Sequence, residues 1–114
     1  MRKEVEQLAL MGAMPDEADE RITAALVDEY ASLLGKIVKP ITLDEAYILI
    51  KLFPPTALYG VEWVLLHLIE SLYSETIFLE YRELINECNS TEFKKMLVQR
   101  LNNSQQKKVT NEAG

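Results

Sequence analysis

Apolar residues recur at three- and four-residue spacing along most of the chain, and no segment alternates as a half-buried strand must. That pattern directs the chain to an all-α fold, and its prolines and glycines decide where the helices are cut. Lys3–Met11 reads as a first helix with Val5, Leu8 and Met11 on one face, ended by Gly12. Met14-Pro15-Asp16 reads as a hinge, because proline suits the first position of a new helix. A second helix is expected over residues 16–34, with Ile22, Leu26, Tyr30 and Leu33 inward and Gly35 as its cap. Thr42 and Glu45 have the spacing of a capping box, so a third helix is expected over 43–52.

Pro54-Pro55 must stop that helix, since proline lacks an amide hydrogen and restricts the residue before it. Thr56 is then the expected cap of a fourth helix over 57–72. A fifth is expected over 75–87, with Ile77, Phe78, Tyr81, Leu84, Ile85 and Cys88 inward. Asn89 is expected to open a sixth, with Glu92 completing a second capping box and Phe93, Met96, Leu97 and Leu101 as its apolar stripe. From Asn102 the chain reads NNSQQKKVTNEAG, with little to bury. Residues 1–101 therefore read as one helical domain and 102–114 as a disordered polar tail. Short connections predict antiparallel hairpins, helix three with four and five with six. Five to six helices then form either a compact bundle or a short HEAT-like stack.

Composition narrows the function. Of 114 residues, 48% are apolar and 26% charged, so a globular core is affordable without disulfides or metal. No apolar run approaches the roughly 20 residues of a spanning helix, so no membrane role is expected. Arg2 and Lys3 are followed by Glu4 and Glu6 rather than by an apolar segment, and Cys88 is the single cysteine. A cytoplasmic location is the expectation, and the Asn89-Ser90-Thr91 match to a glycosylation acceptor carries no weight without a secretory signal. Of the net charge of −6, residues 1–35 carry −5, from eight acids against three bases. Such a chain is suited to a basic partner and ill suited to a phosphate backbone. The basic group Lys94, Lys95, Arg100, Lys107 and Lys108 is interrupted by acids and runs into the tail, so nucleic acid is not expected.

Rare residues gather in 52–70, LFPPTALYGVEWVLLHLIE. At 100° per residue, Leu58, Val61, Val64, Leu65, Leu68, Ile69 and Leu72 cover most of the fourth helix. Tyr59, Glu62, Trp63, His67, Glu70 and Ser71 fall on the remaining arc, with Tyr59, Trp63 and His67 forming one ridge. The ridge reads first as the edge of the core and second as a docking surface, because Trp and Tyr anchor interfaces. A catalytic role comes last, since His67 has only Glu70 at a useful spacing. One histidine and one cysteine do not make a metal site, no glycine-rich phosphate loop is present, and no cofactor is expected. Cys88 lies on an apolar edge and reads as an inert thiol. The run Asp16, Glu17, Asp19 and Glu20 reads as a solvated helix start favoured by the helix dipole, or as an electrostatic contact for a basic partner.

The segment TLDEAYILIKLFPPTALYGVEWVLLHLIE, residues 42–70, resembles small acidic helical bacterial proteins of the toxin-immunity type. That resemblance implies a cytoplasmic binding protein with no catalytic residues to transfer. The same segment is similar to a HEAT hairpin, although the usual helix-one proline and the helix-two Asp and Arg/Lys are missing. The leading expectation is a non-enzymatic, acidic protein-binding module, in its most concrete form an immunity or antitoxin-like protein that neutralises a basic toxin. Asp16, Glu17, Asp19 and Glu20 would steer the partner, and Tyr59, Trp63 and His67 would hold it. The alternatives are a self-associating scaffold or regulatory domain that forms a homodimer, and a small enzyme with a site near His67 and Glu70.

Overall fold

Capping chemistry, more than apolar periodicity, decides where the helices begin. The computed structural model describes residues 1–73 and 78–113. It contains α1 (Lys3–Met11), α2 (Ala24–Gly35), α3 (Leu43–Leu49), α4 (Val61–Glu70), α5 (Phe78–Asn86) and α6 (Thr91–Ala113), with no strand among the described residues. The first helix has the expected bounds, and the Gly12 amide donates back to the Leu8 carbonyl from a backbone with φ of 79°. The Thr42–Glu45 capping box is complete: Glu45 N donates to Thr42 Oγ1 at 3.1 Å, and Thr42 N donates to Glu45 Oε1 at 2.9 Å.

Several helix boundaries differ from expectation. The second helix starts at Ala24, not Asp16, because Asp16 and Asp19 accept from the amides two residues on, Ala18 and Arg21, both at 2.9 Å. Such turns compete with helical pairing. Thr23 supplies the cap, accepting from Leu26 N at 3.1 Å. The third helix stops at Leu49, and the fourth starts at Val61 with Gly60 before it, so Thr56 caps nothing. The sixth starts at Thr91, where the Ser90 hydroxyl accepts from Phe93 N at 3.4 Å, and Asn89 is used elsewhere. The α6 backbone continues to Ala113 through the residues expected to form a structureless tail, a stretch rich in Gln and Lys with no Gly or Pro to break it. The expected start of the fifth helix at Glu75, and the inward Ile77, lie outside the described residues.

The first four helices close into a ring, α1 against α2 and α3, and α4 against the same two. Val5 and Leu8 of α1, Tyr30 and Leu34 of α2, Ala46 and Leu49 of α3, and Leu65 and Leu66 of α4 are buried there. Two polar groups pin α1. The Tyr30 hydroxyl donates to Gly12 O at 2.8 Å, engaging the carbonyl end of α1. At the other end, Arg2 Nε donates to Glu45 Oε2 at 2.8 Å while its Nη atoms donate to Val38 O and Pro40 O. Burial pushes the Glu45 carboxyl up, but the bonds from Thr42 and Arg2 outweigh it and hold it below its ordinary value. The Arg2 and Glu45 charges are thus matched where Glu45 is buried.

The second unit is the α5–α6 hairpin, which docks on the irregular segment 50–60 that links α3 to α4. Asn89, between the two helices, spends its amide on Phe53: Phe53 N donates to Asn89 Oδ1 at 3.1 Å, and Asn89 Nδ2 donates to Phe53 O at 2.7 Å. The Phe53 ring is fully buried and stacks on Phe93 of α6, centroids 4.7 Å apart and planes 17° from parallel. Ser90 Oγ donates to Pro55 O at 3.2 Å. Trp63 meets Phe93 edge-on at 6.5 Å, and Glu70 pairs with Arg100 seven residues further along both helices. Equal offsets mean that α4 and α6 run side by side in the same direction. Replacing Asn89 with Ala leaves both Phe53 backbone groups without their partner, a loss of about 1–3 kcal/mol. Thermal denaturation of Asn89→Ala is expected to show a melting temperature about 5–10 °C lower. An unchanged melting temperature would show that this bridge does not hold the hairpin.

Candidate functional site

The start of the acidic run and Tyr59, separated by about forty residues of sequence, meet in space. Glu17 N donates to Ala57 O at 2.8 Å, and Tyr59 N donates to Glu17 Oε2 at 2.9 Å. Asp16 Oδ2 accepts from Thr56 N at 3.2 Å and also from the Thr56 hydroxyl. The Thr56 hydroxyl is the main reason the Asp16 carboxyl lies below its ordinary value, helped by the Ala18 amide. Two of the four acids are thus structural staples, bonded to Thr56 and Tyr59 rather than to a cation. Asp19 is neutralised by Arg21, whose Nη2 and Nε lie 2.9 and 3.1 Å from its two oxygens. The Arg21 side chain is the chief cause holding the Asp19 carboxyl down at about 2. Glu20 is exposed.

Tyr59 does not belong to α4. It lies before the helix with φ of 50°, followed by Gly60 with φ of 88°. A left-handed backbone costs a bulky residue roughly 1–2 kcal/mol, whereas glycine adopts it freely. The Tyr59 side chain is 66% exposed, so core packing does not account for the choice of tyrosine here. The conformation is held from both sides: Glu17 takes the Tyr59 amide, and Glu62 Oε1 takes the amides of Leu58 at 2.7 Å and Gly60 at 3.0 Å. Gly60 has no side chain to cap α4, and Glu62 in the first turn instead takes the two amides just before it.

That role overturns two assignments on the helix. Glu62, expected outward, is 4% exposed, and Val64, expected inward, is 39% exposed. A charged residue at the centre of the apolar arc became tolerable because two amides wait for its carboxylate. The expected Tyr59–Trp63–His67 ridge is therefore broken at Gly60. Trp63 is 42% exposed with one edge against Phe93, and His67 is exposed beside it. Glu70, the one carboxylate near His67 in sequence, is taken by Arg100. The cavity beside Glu70 is lined by Tyr73, Tyr81, Arg100, Leu101 and Ser104, without His67.

Other chemistry is sparse. Among the described residues no three His, Cys, Asp or Glu side chains gather as metal ligands would, and no helix is long and apolar enough to cross a membrane. Cys88 is half-buried, burial pushes its thiol up, and Sγ donates to Ser90 O at 3.6 Å. Of the basic group, Arg100 pairs with Glu70 and Lys94 Nζ donates to Asn86 O at 3.3 Å, while the Lys107 and Lys108 side chains lie outside the described residues. Comparison with protein-family models, with curated proteins and with solved structures finds no match.

Two measurements check this geometry. Tyr59→Gly keeps the amide bond to Glu17, gives up only the long hydroxyl bond to Glu17 O at 3.5 Å and relieves the left-handed strain, so chemical denaturation is expected to show a gain of about 1 kcal/mol. A loss of stability would place Tyr59 among the packing residues. Because the Asp19 carboxyl is lowered from 3.8 to about 2, its pairing contributes fully above pH 3.8 and is lost as pH falls through 2. A carboxyl titration followed by NMR is expected to return a midpoint near 2, and Arg21→Ala to move it back towards 3.8. A midpoint already near 3.8 in the parent protein would show that Arg21 does not hold Asp19 in solution.

Proposed function

We propose that the protein is a small non-enzymatic domain that binds another protein of basic character, with Tyr59 and Trp63 as its anchors. The observation that carries this reading is Tyr59 itself, a large aromatic held 66% exposed in a backbone conformation suited to glycine. Strain of that kind persists only where surrounding bonds impose it, and it gathers at binding and switching sites. An aromatic presented on an immobilised backbone loses little conformational freedom on binding, which suits an interface anchor.

The charge around Tyr59 supports a basic partner. Asp16, Glu17 and Glu20 have no ion-pair partner among the described residues, and only Asp19 is offset by an adjacent cation. Their field would speed encounter with a positively charged surface and weaken as salt rises. Trp63, with His67 next to it, would extend the contact along α4. The most specific form of the proposal is an immunity-type protein that neutralises a basic toxin inside the cell. The engagement of Glu70 by Arg100 favours binding over catalysis, because His67 is left without its nearest acid partner.

Affinity capture from an extract of the protein's own host tests the reading. The parent protein is expected to retain one basic protein at low salt and release it near 0.5 M salt, and Tyr59→Ala to weaken retention about tenfold or more. Tyr59→Gly, expected to be more stable, serves as the control that separates lost binding from lost folding. Retention unaffected by substitution of both Tyr59 and Trp63, or no retained protein at low salt, would sink the proposal.

A further inference from the structure

Between Tyr59 and the start of α2 lies a cavity of 320 Å³, lined by Ile22, Ala24, Val27, Asp28 and Tyr59. Its volume lies at the lower end of the range for ligand pockets, enough for one long side chain and too little for a large cofactor. Four of its five lining residues offer apolar or aromatic surface, and the fifth is a carboxylate. Asp28 is exposed, and its carboxylate makes no hydrogen bond or ion pair with another described residue. The base nearest in sequence, Arg21, does not fill the cavity from within, because both Asp19 oxygens hold it.

We propose that this cavity receives an arginine side chain of the partner protein, its guanidinium stacked on the Tyr59 ring and forked onto the Asp28 carboxylate. The proposal rests on the protein-binding reading above and names the chemical group recognised. A cation with an aliphatic stem suits a site with an apolar floor of Ile22 and Val27 and a single negative wall. Arginine suits it better than lysine, because a planar, weakly hydrated guanidinium stacks on an aromatic face while engaging a carboxylate. The positive end of the α2 dipole opposes a cation, but that effect fades within the first turn and Asp28 stands in the second. The surrounding third of the chain carries a net −5, which favours the same occupant.

The probe is the capped tripeptide acetyl-Gly-Arg-Gly-amide, titrated at low ionic strength into the full chain labelled with ¹⁵N. Amide shifts are expected to concentrate at residues 22–28 and 59, to saturate, and to weaken about fivefold in Asp28→Asn. The matching citrulline peptide, equal in shape but uncharged, is expected to leave those amides unmoved. Equal response to the citrulline peptide, indifference to Asp28→Asn, or shifts spread evenly over Glu4, Glu6 and Glu29 would overturn the assignment. If it fails while Tyr59→Ala still abolishes partner capture, the docking reading stands without the arginine. If Tyr59→Ala leaves capture intact, the docking reading itself is lost.

Discussion

A chain that places two prolines in succession deprives itself of two backbone donors and ends any helix it is in. Here that happens in the middle of the domain, and residues 52–60 are left with polar groups that no helix will pair. Most of them are met from outside the segment. Leu52 O accepts from Met14 N, Phe53 is bridged by Asn89, and Pro55 O accepts from Ser90. Thr56 turns to Asp16, Ala57 O and Tyr59 N to Glu17, and Leu58 N and Gly60 N to Glu62. Buried or half-buried backbone must be accounted for in this way. The requirement places the linker after α1 on one side of the segment and the α5–α6 hairpin on the other. The helices supply the apolar mass, and this non-helical strip decides how they are put together.

Much of the fold was legible because it is written in local rules. The bounds of α1, the Thr42–Glu45 box and the apolar faces of α5 and α6 follow from residues within a turn of one another. The misreadings share a cause. Asp, Asn and Thr serve equally as helix starts and as partners for distant backbone, and sequence does not distinguish the two. Asp16 looks like a first-turn acid and is a staple for Thr56, while Asn89 looks like a cap and is a bridge to Phe53. Nothing local announces a partner 36 or 40 residues away.

The same limit shaped the site. Of the residues singled out in the sequence, Asp16 and Glu17 come together with Tyr59, while Trp63 lies against Phe93. What periodicity could not show is that Gly60 interrupts the helix, which detaches Tyr59 from the ridge and directs it towards Glu17 and Ile22. The Tyr-Gly pair followed two residues later by Glu62 was the available signal. A glycine at a helix start, with a carboxylate just inside to collect the stray amides, predicts a left-handed turn there. Asp28 carried no signal, since one exposed acid on a helix is unremarkable until an empty cavity is seen beside it.

The strip at 52–60 also bears on how the chain folds. Helical domains fold fast when their contacts are local, and helices alone would place this chain in that class. Its joining bonds are not local: Tyr59 reaches back 42 residues to Glu17 and Phe53 reaches forward 36 to Asn89. Each demands the closure of a long loop before it returns any stabilisation. The helical content should therefore arise early and the final architecture late, with the slow step belonging to a stretch of the domain that forms no helix.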